Sequence, residues 1–177
     1  MKYTDYASII EKQLPQIKPE NLLFWNLWCL NYVFEKITTK EYKYYKGFQA
    51  CFDLLWEMND TRKIDVRHHP SVKALLSFTD EEYEDLDDFE VNQKAIKECL
   101  VGLESILKSL FENNSLPYSS YTHPIDLIDI IVDQIHIDSE NTHPAFLTEA
   151  QAQFKMLEEI TRSVVYYTRK ECNRHRM

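Results

Sequence analysis

The chain has 177 residues, 44% of them apolar and 13% aromatic, with 29 acidic against 20 basic side chains and a net charge of −9. That length fits one domain able to bury roughly 70% of its extended surface without disulfide or metal staples. The negative balance repels nucleic acid and anionic lipid, and two glycines, Gly47 and Gly102, are too few for the hairpins and bulges of a sheet protein.

Residues 3–14 read as a short amphipathic helix with Ile9, Ile10 and Leu14 inward, closed by Pro15. Pro19 stands at the start of a second helix whose LLFWNLWCLNYVF run is apolar on nearly every side. Such a helix belongs at the centre of a bundle. Its 13 apolar-rich positions, interrupted by Asn26 and Asn31, are too short to span a bilayer. Thr38 and Glu41 have capping-box spacing and open a third helix to about Met58, striped by Tyr45, Phe48, Phe52, Leu55 and Trp56. A polar link over 59–70 leads to a short helix over 71–78. Thr79 and Glu82 form a second capping box.

Residues 80–90 then read DEEYEDLDDFE, eight carboxylates with no basic residue among them. They open an acidic middle third: residues 80–149 hold 17 acidic side chains against Lys94, Lys97 and Lys108, a net −14, while the rest of the chain stands at +5. Some of these carboxylates suit the positive end of a helix dipole, but eight exceed that need. The clearest helix covers 91–111, with Ile96, Cys99, Leu100, Leu103, Ile106, Leu107 and Leu110 on one face. After a loop, Pro124 opens a helix to about Ile135. Pro144 opens the last and longest helix, striped by Leu147, Ala150, Phe154, Leu157, Ile160, Val164 and Tyr167. The basic segment 170–177 is expected to fray. The whole is expected to be a single compact all-α domain over residues 1–177, a bundle of seven or eight helices around the second.

Certain segments resemble a known family. YYKGFQACFDLLWE, residues 44–57, is similar to the Tyr … Leu-Asp-x-(Leu/Ile)-Trp-Glu segment of the YjaG-like bacterial proteins. Asp88-Phe89 with Ala95 and Cys99, and His143-Pro144-Ala145 with Gln153 and Phe154, follow in a similar order within residues 24–160. Near residue 31, where that family carries a Glu-Arg pair, this chain has Asn31-Tyr32. The resemblance implies an all-helical fold and no particular chemistry.

Four cysteines, Cys29, Cys51, Cys99 and Cys172, lie far apart without a C-x-x-C pair, which argues against a disulfide framework or zinc knuckle and for a reducing, cytoplasmic setting. The charged N-terminal stretch does not read as a signal peptide. Glu140-x-x-His143, Asp133-x-x-His136 and Asp65-x-x-His68 place a carboxylate three residues before a histidine, but they lack the paired Glu-x-x-His set of a di-iron bundle. Asp126, Asp129 and Asp133 share an arc of about 60° on their helix, opposite Ile128, Val132 and Ile135, and are expected to face solvent. The three His-Pro pairs, at 69–70, 123–124 and 143–144, read as helix starts. No metal and no cofactor is expected.

Arg169 and His175 match the Arg-x(4–6)-His spacing of the HEPN family of helical ribonucleases, and Arg62 with His68 match equally well. That resemblance implies phosphate binding and 2′-OH activation. It stands against the net charge, since RNA needs clustered basic residues. No serine, cysteine or lysine nucleophile has a base at diagnostic spacing, and no glycine-rich phosphate loop occurs.

Tyr83, Leu86 and Phe89 recur among the acids at three-residue spacing, an arrangement that anchors a short helix while presenting charge. Aromatics flanked by charge make protein-binding hot spots. The expected interface therefore comprises Glu81, Glu82, Tyr83, Glu84, Asp85, Asp87 and Asp88 with Asp126, Asp129 and Asp133. Small acidic domains without catalytic motifs resemble bacterial immunity proteins, which implies a non-enzymatic protein that occludes a cognate basic toxin, with neither nucleic acid nor membrane as partner. The alternatives are the HEPN-like ribonuclease using Arg169 and His175, and a regulatory or scaffolding protein-binding domain. Oligomeric state is not legible in the sequence.

Overall fold

The computed structural model describes residues 1–38, 45–63, 65–77, 90–112, 119–132, 135 and 139–176. The fold is all-α: helix accounts for 76% of it, and the described residues include no strand. Seven helices are described, α1 (Tyr3–Gln13), α2 (Pro19–Phe34), α3 (Tyr45–Thr61), α4 (Pro70–Leu76), α5 (Val91–Glu112), α6 (Thr122–Val132) and α7 (Pro144–Arg162). Short 3-10 turns lie at Leu14–Gln16, Ser119–Tyr121 and Arg169–Glu171.

As its hydropathy demands, α2 is the hub. Eleven of its sixteen residues are buried, and it packs against α3, α5, α6 and the Ser119–Tyr121 turn. Trp25 and Trp28 stack at 5.7 Å, and Phe24 meets Trp56 edge-on at 6.0 Å. Burying each of these side chains contributes on the order of 2–3 kcal/mol against a chain-ordering cost of similar total size. Gly102 lies where α5 crosses α2. A Cβ there would run into the buried Leu30 side chain, so the close approach of the two helices requires glycine.

A helix buried all round must still satisfy its polar side chains. Asn26 donates to the Leu22 carbonyl at 2.8 Å and accepts from the Ser120 hydroxyl. Asn21 donates to the Val165 carbonyl and accepts from the Tyr167 amide, both at 3.3 Å, while Asn31 donates to Asn173 Oδ1 at 2.9 Å. Two of the three asparagines therefore bind the segment that follows α7.

That segment does not fray, which corrects the expectation for the basic tail. Arg176 lies along α2, with its guanidinium 3.5 Å from the Trp28 ring centroid and Nη1 donating to the Trp28 carbonyl at 2.6 Å. Its Nε and Nη2 form a fork on Glu149 at 2.9 and 2.6 Å, and the two side chains are only 8% and 2% exposed. The fork geometry supplies two charge-assisted bonds at once.

Other expectations need smaller corrections. α7 stops at Arg162 because Ser163 takes extended backbone, so Val164 is 84% exposed instead of continuing the stripe. The β-branched pair Val164-Val165 that follows suits extended chain better than helix. Ile9 is exposed rather than inward, while Tyr6 takes the core position beside Ile10. α6 begins at Thr122, two residues before Pro124. The capping boxes drawn from Thr38 to Glu41 and from Thr79 to Glu82 have members outside the described residues.

Candidate functional site

Two helices build a charged cluster at one side of the bundle. Lys94 and Glu98, four residues apart on α5, share a face; His123 and Asp126, three apart in the first turns of α6, share the face opposite it. Glu98 Oε1 accepts from Lys94 Nζ at 3.0 Å, and Oε2 lies 2.6 Å from His123 Nδ1. Glu98 and His123 are 8% and 7% exposed, and Asp126 is partly buried beside them. One ligand atom from each of Glu98, His123 and Asp126 lies within 4.8 Å of the other two.

The two carboxyls titrate in opposite directions. Burial alone pushes Glu98 up, but hydrogen bonds and charge from His123 and Lys94 overcome it and hold Glu98 below its ordinary range. Asp126 is pushed up to about 6, by burial first and the Glu98 charge second, with His123, Lys94 and the Thr122 hydroxyl offsetting only part. Two carboxylates therefore share one lysine and one histidine. The one without a direct ion pair bears the cost.

A depression of about 220 Å³ opens beside this cluster, lined by Tyr3, Ile125, Asp126, Asp129 and Ile135. Asp129 is exposed and accepts from the Ile135 amide. The Tyr3 phenol is raised by burial, and then by the charges of Asp126 and Glu11. The groove joins an apolar floor to two carboxylates, a shape that receives an aliphatic stem ending in a cation.

Of the residues expected at a partner interface, Asp126 and Asp129 are brought together at this groove. The expectation that both face solvent holds for Asp129; Asp126 is instead turned partly inward toward Glu98 and His123. α5 covers the edge of α6 that carries Asp126. Glu81, Glu82, Tyr83, Glu84, Asp85, Asp87, Asp88 and Asp133 lie outside the described residues. Carboxylate-x-x-His spacing does not reveal this cluster, because its local motif runs the other way, His123-x-x-Asp126, and Glu98 joins from 25 residues upstream.

The His-Pro pairs divide. His69 and His143 cap α4 and α7, with Nδ1 accepting from the Ser71 and Ala145 amides at 3.3 and 3.2 Å and proline in the first turn. His123 instead lies within α6 and is held by Glu98.

At the opposite end of the sequence, the HEPN-type pair is held by separate carboxylates. Arg169 pairs with Asp53 at 2.7 Å and its amide donates to Asp60; His175 pairs with Glu159 at 2.7 Å. Glu159 also accepts from Tyr167 at 2.9 Å and pairs with Arg174 at 3.0 Å. An open depression of about 510 Å³ there is lined by His175, Glu159, Tyr167 and Lys155 among others, without Arg169. Of the second pair, Arg62 stacks on Tyr166 at 5.0 Å and His68 is exposed.

All four cysteines are free, three of them buried, and no helix among the described residues is long and apolar enough to cross a membrane. No family model matches the chain, and neither does any curated protein or solved structure.

Proposed function

We propose that the protein is a non-enzymatic binding protein of the cytoplasm that engages a basic protein through its acidic middle third, as an immunity protein occludes a cationic toxin. One observation carries this reading: Asp126 and Asp129, two of the acids singled out in the sequence, line one groove whose Tyr3, Ile125 and Ile135 walls suit the stem of a lysine or arginine. The charge distribution supports it. Arg169, Arg174 and Arg176 are engaged by Asp53, Glu159 and Glu149, so much of the positive charge of the basic tail is balanced within the molecule. The acidic residues of 80–149 other than Glu149, which Arg176 neutralises, then dominate the outward field and steer a cationic partner toward it. Occlusion follows if these carboxylates occupy the positions where a toxin's Arg and Lys would hold substrate phosphates.

The test pairs the chain with the product of the reading frame beside its own gene. The neighbouring product should arrest growth alone and be neutralised by this chain. Reversing Glu81, Glu84, Asp87 and Asp129 to lysine should abolish protection and slow association, most steeply at low salt, where the Debye length exceeds its ~10 Å at 0.1 M. A harmless neighbour, or full protection by the reversed variant, would overturn the reading. RNA cleavage by the purified chain, lost in both Arg169→Ala and His175→Ala, would replace it with the ribonuclease.

A further inference from the structure

We propose that Glu98, His123 and Asp126 form a binding site for one divalent first-row metal ion of the zinc class. The proposal is independent of any partner at the neighbouring groove. Its first support is donor chemistry. One imidazole and two carboxylates from facing helices make a nitrogen–oxygen set that zinc accepts with three protein ligands and a solvent position, whereas magnesium and calcium favour sites built wholly of oxygen.

Its second support is charge. The cluster holds two carboxylates, and among the described residues Lys94 and His123 each pair with Glu98 while no ion pair holds Asp126. A dication resolves the repulsion that Asp126 now bears from Glu98. Geometry is the third. Ligand atoms bonded at ~2.1 Å around a tetrahedral ion stand roughly 3.4 Å apart. The present set lies within 4.8 Å, with Glu98 Oε2 and His123 Nδ1 joined by a 2.6 Å hydrogen bond whose proton a bound ion would displace.

Described residues also supply an outer partner for Glu98 and an entry path. Lys94 holds the second oxygen of Glu98 at 3.0 Å and fixes the carboxylate's orientation, as outer partners of ligating carboxylates do. Asp126 belongs to both the cluster and the 220 Å³ groove, which supplies an entry path and room for a bound water.

The experiment uses the full chain, freed of metal with a chelator and titrated with zinc by calorimetry, with thermal unfolding followed in parallel. One zinc per chain should bind and raise the unfolding midpoint, as any ligand of the folded state does. Cobalt in its place should give the intense visible absorption of a low-symmetry four-coordinate site. Asp126→Asn should weaken zinc binding roughly tenfold or more while leaving the metal-free protein at least as stable. Asp129→Asn, which alters the groove but not the cluster, should bind zinc as the parent does. Absence of stoichiometric zinc binding would overturn the site, as would equal weakening by Asp126→Asn and Asp129→Asn, the mark of diffuse acidic attraction. Tighter binding of millimolar magnesium than of zinc would overturn the assignment of metal class.

Discussion

Two buried glutamates, Glu149 on α7 and Glu98 on α5, face the same physical problem and meet it differently. Glu149 is met by one guanidinium that bonds both of its oxygens, and Arg176 in turn is covered by Trp28. The pair is matched one to one and belongs to the architecture, since it fastens the chain's final described residues to the central helix. Glu98 divides its oxygens between Lys94 and His123, and a second carboxylate, Asp126, lies beside it with no direct counterion among the described residues. A matched pair consolidates a fold. A cluster with one acid too many keeps a capacity for a cation, and the groove at Asp126 opens from that cluster.

The largest effect should come from breaking the matched pair. Arg176→Met leaves Glu149 buried at 2% exposure without a counterion, with Gln153 still donating to it at 3.0 Å, and should cost about 3–5 kcal/mol in a urea titration. The double variant Arg176→Met, Glu149→Leu should recover most of that loss, because an apolar pair of similar volume needs no compensating charge. If the single variant were as stable as the parent, the contrast between the two clusters would fall.

An intermediate effect of opposite sign is expected at the unmatched cluster. Asp126 rises in the folded state from its ordinary 3.8 to about 6. Its favourable contribution is therefore complete below pH 3.8 and is lost as pH rises through about 6. At neutral pH the charged form destabilises the fold. Asp126→Asn should stabilise the metal-free protein at pH 7 by about 1–2 kcal/mol, allowing for the exposed edge of the carboxyl. The advantage should shrink toward zero near pH 4. Glu98 has the reverse sign: its folded-state value is depressed, so its contribution is present above its ordinary 4.5 and is lost on further acidification. Urea midpoints of parent and variant at pH 4 and pH 7 check both. A gap that does not change with pH would separate Asp126 from the cluster.

What was legible in the sequence follows the range of the interactions. The all-helical fold and the central place of α2 were visible because hydropathy along one segment decides them. That His69-Pro70 and His143-Pro144 start helices was visible because the signal is local, and the side-chain caps that His69 and His143 form reach only two residues on. The same dipeptide at His123 looked identical, and only its neighbour Glu98, 25 residues away, sets it apart. Arg176 read as part of a solvated tail because its partners lie 27 and 148 residues back. The arc shared by Asp126 and Asp129 followed from helical spacing, but which edge of it meets α5 is a tertiary fact. Residues 80–89, where the sequence concentrates its charge, lie outside the described residues.

The smallest effect belongs to Arg169, one of the two residues that match the HEPN-type spacing. Arg169 and Asp53 meet at 2.7 Å, but both side chains are 46% exposed. Water screens such a pair, and two long side chains lose rotamer freedom in forming it, so Arg169→Ala should cost under about 1 kcal/mol. That loss includes the ion pair only, because the bond to Asp60 comes from the Arg169 backbone amide and survives the substitution. Raising salt from 0.05 to ~0.5 M should erase most of the difference, since an exposed pair weakens within a shortened Debye length. The Arg176 deficit should persist in the same salt, because its fork on Glu149 is closed off from solvent by Trp28 and the α2 backbone. Equal salt sensitivity of the two deficits would mean that Glu149 is as well solvated as Asp53, contrary to the burial that separates them.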